Sequence, residues 1–301
     1  MRRCLVCSSG SIVEARERLF PVGWRCEACQ WSPRSERDVA LLAPQLADDT
    51  LGFDSTSFSD LEAIEDGHFW FEPRNRLIAG LTQRFFPAAR SYLEIGCGTG
   101  FVFRGMAELR QWTRLVGSEL QPAGLRVAQR RVGKPAEWLQ MDARSLPVRE
   151  EFDLLGCYDV LEHVQDDEAV LEEIFGAIRP GGGAILAVPQ HPMLWSALDE
   201  RVHHVRRYRR GELERKARAA GFRVLFSSSY TFALLPLMIA SRMTQRPNRS
   251  NTSSRNALEF RPPFMANVIL RAILHLEVTL TLAGLRWPAG GSRIVVVSRS
   301  R

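Results

Sequence analysis

The sequence predicts a doubly wound α/β fold with a mainly parallel sheet, and three observations carry that expectation. Short apolar runs alternate with amphipathic ones from Ser91 to Phe232, a βαβ rhythm that puts helices on both faces of a sheet. A glycine-rich turn, Gly96-Cys97-Gly98-Thr99-Gly100, ends the first apolar run and opens an amphipathic one. Four of the six cysteines form two CxxC pairs within the first 29 residues, ahead of that region.

Cys4-x-x-Cys7 and Cys26-x-x-Cys29 have the two-knuckle spacing of a structural zinc site, in which four thiolates close a tetrahedron and leave no position for chemistry. Residues 1–31 therefore read as a zinc-ribbon-like module too small to hold together without its metal, with Trp24 and Trp31 as packing residues. Residues 32–66 read as a polar linker, with Pro33, Pro44 and an acidic, serine-rich run from Asp48 to Asp60. The main domain, 67–301, opens on His68-Phe69-Trp70-Phe71 and a helical segment from Arg74 to Phe86. Strands are expected at Ser91–Ile95, Arg114–Ser118, Glu137–Met141, Phe152–Cys157, Ala184–Val188, Arg223–Ser228 and Arg293–Ser298. Helices are expected at Phe101–Leu109, Pro122–Val132, Asp167–Ile178 and Arg210–Ala220.

A helical insertion, 232–290, precedes the last strand, with a polar segment at 242–263 expected to be mobile. Its Phe264–Trp287 stretch is long enough to span a bilayer. However, Arg271, His275 and Glu277 near its middle would be costly there. Asn267, Arg271, His275 and Thr279 recur at every fourth position, one polar stripe on an apolar helix. The expectation is a helix on a membrane surface or against a partner, not a spanning one.

With 301 residues, 45% hydrophobic and 25% charged, the chain has the composition of a globular protein with one large domain and a small module. A net charge of +6 is a mild basic bias that could favour phosphate-rich partners or an anionic membrane. Met1-Arg2-Arg3 leads into cysteines and polar residues rather than an apolar leader, so the chain is expected in a reducing cytoplasm, with its cysteines as thiols or metal ligands.

The glycine turn lies in Tyr92-Leu-Glu94-Ile-Gly96-Cys97-Gly98-Thr99-Gly100. Glycines there let backbone approach a ligand, and the helix that follows presents free N–H groups. A dinucleotide fingerprint needs G-x-G-x-x-G, and Phe101 stands where the third glycine belongs. Instead, E-x-G-x-G-x-G resembles the first motif of class I S-adenosylmethionine-dependent methyltransferases. Glu119 after the second strand, Asp142 after the third, Phe152 to His163 around the fourth and Arg179-Pro180-Gly181-Gly182-Gly183 before the fifth agree in order. The resemblance implies S-adenosylmethionine as cofactor, bound by Glu94, Gly96, Cys97, Gly98, Gly100, Glu119, Leu120, Asp142, Ala143 and Tyr158. In that family the strand-end carboxylates serve the ribose hydroxyls and the adenine amino group. Further segments, around His68-Phe69-Trp70-Phe71 and from Leu194 to Tyr208, resemble bacterial methyltransferases of unassigned substrate with zinc-ribbon-like N-termini.

On the acceptor side, His163, His203, His204 and Tyr208 are the candidate catalytic groups, in or near a segment rich in His, Arg, Trp and Tyr. Asp159-x-x-Glu162-His163 is similar to a metal-binding string of some small-RNA and quinone O-methyltransferases. The same string is common in methyltransferases without metal, so it is read as structural. No N/D-P-P-Y follows the fourth strand, which counts against adenine-amino methylation. The leading expectation is methyl transfer to a small-molecule or lipid-linked acceptor, with membrane contact through 264–287. The alternatives are an rRNA or tRNA methyltransferase, favoured by Arg206-Arg207-Tyr208-Arg209-Arg210, and a non-catalytic zinc-containing binding protein.

Overall fold

The computed structural model describes residues 1–14, 17–47, 57–133, 135–244 and 262–301. Most of the 242–263 segment expected to be mobile, and the Asp48–Thr56 part of the acidic run, lie outside the described residues.

A nine-stranded sheet organises the chain, in the order β10-β11-β9-β8-β5-β6-β7-β4-β3. Its centre is β5 (Ser91–Ile95), β6 (Arg114–Glu119), β7 (Glu137–Gln140), β8 (Phe152–Tyr158) and β9 (Ile178–Pro189). All neighbouring pairs among these five are parallel. β11 (Ser292–Ser298) inserts antiparallel between β9 and β10 (Arg223–Tyr230). From β5 the chain steps one way to β6 and β7, then restarts on the other side with β8 and β9. The switch point between β5 and β8 is where such sheets open a crevice at their strand C-termini.

Helices cover both faces over two cores. One face carries α2 (Phe71–Phe85), α3 (Phe101–Leu109), α4 (Pro122–Val132) and α9 (Phe264–Leu282), with Leu77, Phe103, Leu125 and Leu274 in its core. The other carries α5 (Asp167–Ala177) and α7 (Glu212–Ala219), with Val170, Ile174 and Leu213 in its core. The ends of α4 follow its sequence: Pro122 opens the first turn and Gly133 closes it in the left-handed region at φ 59°. At α5, the Asp166 side chain accepts from Ala169 N at 3.1 Å.

The segment read as a linker is structured where it is described. β3 (Arg34–Glu36) and β4 (Val39–Leu41) form a hairpin whose second strand adds parallel to β7. α1 (Ser57–Glu65) packs on α4 and buries Phe58. The polar composition misled because β3 is an edge strand whose residues are all exposed, while the run from Val39 to Ala43 is buried. Arg179 to Gly183 lies within β9, at a register shift against β8 between Phe152 and Leu154.

The N-terminal module is not a separate ball on a tether. β1 (Arg2–Arg3) and β2 (Gly10–Ser11) pair with each other, and Val13, Leu19 and Phe20 join the core of the α5–α7 face. The buried Glu137 carboxylate, at the start of β7, accepts from Leu19 N at 2.7 Å and Phe20 N at 2.8 Å. The Met1 ammonium pairs with Glu151, and Arg3 meets Glu173 at 2.8 Å. Trp24 and Trp31 pack edge to face at 6.2 Å, with the Arg2 guanidinium 4.8 Å over Trp24.

In the insertion, α8 (Leu235–Thr244) and α9 are helical as expected. Glu277 is buried there, where it accepts from Phe232 N at 3.1 Å and Ala233 N at 2.9 Å.

Candidate active site

One large cavity, about 1090 Å³, lies over the C-terminal ends of β5, β6, β7 and β8. Nine of the ten residues expected at the cofactor line it: Glu94, Gly96, Cys97, Gly98, Glu119, Leu120, Asp142, Ala143 and Tyr158. Gly100, the tenth, does not line it. At φ 76° it starts α3, and a Cβ there would come within 2.9 Å of the Ala128 backbone, so this glycine lets α3 and α4 approach. Gly96, at φ 68°, bounds the cavity, where a Cβ would fall 2.3 Å from Val160.

The two strand-end carboxylates are already oriented. Glu119 accepts from Gly98 N at 3.1 Å, Leu120 N at 2.8 Å and Gln121 N at 3.1 Å. Burial pushes its pKa up and those three N–H groups pull it back. A carboxylate has about four acceptor positions, so the three N–H groups of this turn leave Glu119 room for a further donor. Asp142 is gripped by Arg144, with the guanidinium Nε at 3.0 and 3.1 Å from its two oxygens. Glu94 is fully buried, and burial pushes it up to about 8 against the donated Tyr92 hydroxyl at 2.6 Å and the nearby Arg74 charge. Cys97 and Cys157 are buried thiols whose pKa values burial raises.

Sequence reasoning missed a wall of this cavity. Arg74, on α2, pairs with Asp159 at 2.5 Å and lies 4.6 Å over the Trp70 ring. Phe58, Leu61 and Glu65 of α1 close another side, and Glu65 accepts from the Thr99 hydroxyl at 2.7 Å. Leu234, Met238 and Leu270 bring the C-terminal insertion to the rim. The aromatic run at His68–Phe71 was the available signal for the first of these, and Phe58, Leu61 and Ile64 at helical spacing for α1.

The acceptor side divides the four catalytic candidates. His163 and His204 face the cavity, their rings edge to face with centroids 4.7 Å apart. His204 Nδ1 is 2.8 Å from Asp199, which Arg207 also grips at 2.7 and 3.0 Å and the Ser196 hydroxyl at 2.9 Å. These partners hold the Asp199 carboxyl far below its ordinary pKa despite its burial. Glu162 is fully buried with no hydrogen-bond partner for either oxygen among the described residues, and His204 Nε2 stands 3.7 Å away. The ligand atoms of Glu162, His163 and His204 lie within 4.8 Å of one another, a set able to hold a metal.

His203 and Tyr208 do not reach the cavity. His203 is exposed in a left-handed turn at φ 58°, which swings it away from the neighbouring His204. Tyr208 is fully buried and donates to Asp167 at 2.5 Å, a structural role beneath the site. Arg206 and Arg207 of the basic run also point inward, to Asp167 at 2.8 Å and to Asp199.

The four N-terminal cysteines converge away from this cavity. Cys4 and Cys29 Sγ are 3.7 Å apart, Cys7 and Cys26 Sγ 3.6 Å, and all four lie within 4.8 Å. Zinc–thiolate bonds of about 2.3 Å in a tetrahedron place sulfurs roughly 3.8 Å apart, so the donors fit the ion.

Comparison with known proteins agrees with the geometry. A family model described as a methyltransferase domain matches residues 93–186. The ubiquinone biosynthesis O-methyltransferase of Pseudomonas fluorescens (strain SBW25) is 32% identical over 107 residues, 34% of this chain and 45% of that one. That of Pseudomonas putida (strain ATCC 700007) is 30% identical over 144 residues, 43% of this chain and 60% of that one. The chain thus spans about half the length of the curated relatives it matches. Among solved structures, Haemonchus contortus phosphoethanolamine N-methyltransferase 2 with S-adenosyl-L-methionine aligns at TM-score 0.57 and 18% identity, over 85% of this chain and 60% of that one. A chain from the complex of the Haloferax volcanii Trm112 methyltransferase activator with a methyltransferase aligns at TM-score 0.55 and 15% identity, over 82% of this chain and 95% of that one. Residues 93–186, which carry the glycine turn and the strand ends over the cavity, thus match a methyltransferase domain.

Proposed function

We propose that the protein transfers a methyl group from S-adenosylmethionine to a small-molecule or lipid-linked acceptor. What supports this most is that one cavity holds both the strand-end carboxylates and the His163–His204 pair. The sulfonium is already activated, so the chain has to align the acceptor in line with the methyl and exclude water. The acceptor's lone pair forms the new bond to carbon as the sulfur–methyl bond breaks, its electron pair returning to sulfur. Where the nucleophile is a hydroxyl, its proton passes to His204 Nε2. With Asp199 at Nδ1, His204 presents its other nitrogen toward Glu162, 3.7 Å away on the cavity wall. The hydroxyl of a quinol or phenol suits such a base, and the O-methyltransferase relatives support that class.

The inward turn of Arg206 and Arg207 weakens the case for an RNA acceptor, because these arginines neutralise buried carboxylates. A structural zinc on Cys4, Cys7, Cys26 and Cys29 completes the proposal; it holds the fold of residues 1–31 and takes no part in the transfer.

Calorimetry with S-adenosylmethionine tests the cofactor half of this reading. The parent protein binds, and Glu119→Ala weakens binding by roughly 2–3 kcal/mol, because it removes the acceptor and frees the Gly98 turn. Unchanged affinity in the variant removes Glu119 from the site. Transfer of a labelled methyl group to hydroxylated aromatic acceptors tests the other half.

A further inference from the structure

α9 is apolar on two sides: Leu274 and Val278 are buried in the core beneath it, and a second apolar side faces outward. Surface helices ordinarily bury their apolar stripe and expose their polar one. Here Asn267 accepts from Phe69 N and donates to the Gly67 carbonyl, both at 2.8 Å. Arg271 reaches the same carbonyl at 3.3 Å and Glu72 at 3.1 Å. The upper half of the polar stripe is thus part of the docking face, beside the buried Leu274 and Val278. The opposite face exposes Phe264 (78%), Met265, Ile269, Ile273, Leu276 (61%) and Leu280. These side chains follow helical spacing along one side, and scattered surface apolar residues do not.

Two further observations say what covers this face. Its N-terminal end runs into the cavity: Pro262 and Leu270 line it, as does Leu237 of α8, itself 59% exposed. The flanks are cationic, with exposed Arg76 and Arg84 bonded to the His275 and Leu282 carbonyls and exposed Arg286 just beyond the helix. The only acid on α8 or α9 is the buried Glu277. A second copy of this chain would bring the same arginines against this face, whereas anionic headgroups complement them.

We propose that the exposed face of α9, with Leu237, seats the protein on the surface of an anionic bilayer, with the cavity mouth turned toward it. α9 is long and apolar enough to cross a membrane, but its polar face is fixed to α2 and the preceding loop, so it lies along the surface. The consequence rests on the methyl-transfer reading: an acceptor with a long apolar tail enters from the bilayer without its tail crossing water.

The test sediments the full-length protein with vesicles of phosphatidylcholine alone and of phosphatidylcholine with phosphatidylglycerol, at rising salt. The protein is expected to pellet with the mixed vesicles, less so as salt rises. Ile269→Glu combined with Leu276→Glu, both at exposed positions, should lower that partition roughly tenfold or more, with circular dichroism and S-adenosylmethionine affinity unchanged. Equal pelleting of variant and parent overturns the proposal, as does failure of the parent to pellet. A parent dimer in light scattering that the double variant splits, without vesicle binding, overturns it in favour of self-association. Calorimetry keeps the two readings apart, since absent cofactor binding sinks methyl transfer and leaves the vesicle result standing.

Discussion

The four-cysteine cluster and the Glu162–His163–His204 cluster both bring metal-ligand side chains within 4.8 Å, yet they differ in charge and origin. The cysteines come from two knuckles in the first 29 residues. As thiolates they are four anions, and only a cation lets them stand that close. The second set joins the loop after β8 to a segment beyond α6 (Ala197–Arg201), and it holds one carboxylate and two imidazoles. Burial pushes Glu162 well up and His163 down to about 4, so protons alone relieve its charge. Proximity of ligand types therefore does not by itself demand a metal; the charge of the set decides.

The largest expected effect lies in the cysteine cluster. Cys26→Ser, or chelation, should release one zinc per chain and unfold the module, since structural zinc contributes on the order of 10 kcal/mol to such folds. Elemental analysis and hydrogen exchange at Leu19 and Phe20 check this, and protein isolated without metal refutes it. Cofactor affinity should survive, because the module docks at Glu137 and Glu151, at the N-terminal ends of β7 and β8, opposite the cavity.

Next comes the support of the histidine pair. Asp199→Ala leaves Arg207 without its buried carboxylate partner and His204 without its orienting one, and should cost about 3–5 kcal/mol in urea unfolding. A cost near zero would mean that Asp199 does not hold this corner of the site.

The smallest effect is a pH dependence. The folded His163 pKa of about 4 lies below the ordinary 6.5, so the unfolded chain takes up a proton first as pH falls. The stability that neutral His163 contributes is full above pH 6.5 and is lost between 6.5 and about 4, by roughly 3 kcal/mol. His163→Gln should flatten the stability curve in that window. A variant curve parallel to the parent's would place the titration elsewhere.

Much of the fold was legible in the chain. Pro122 and Gly133 bracket α4, Gly96 needs its positive φ, and the strand-end acids recur at workable spacing; each is a local rule acting within a few residues. Less legible was the course of 32–66, where exposed β3 hides the pairing of β4 with β7. The orientation of α9 was not legible at all. Its stripe of Asn267 and Arg271 was visible, but the Gly67 carbonyl that turns it inward lies about two hundred residues away.

By itself, then, the sequence determined the sheet's parallel centre, the glycine turn, the Glu119 and Asp142 strand ends and the four-cysteine spacing, because dihedral limits and short-range periodicity set these. Only the tertiary structure decided that His204 rather than His203 faces the cavity, that Arg74 and α1 wall it, and that α9 keeps one apolar side outward while burying another. Those outcomes depend on which distant carboxylates and carbonyls a side chain meets, and no local rule counts such partners.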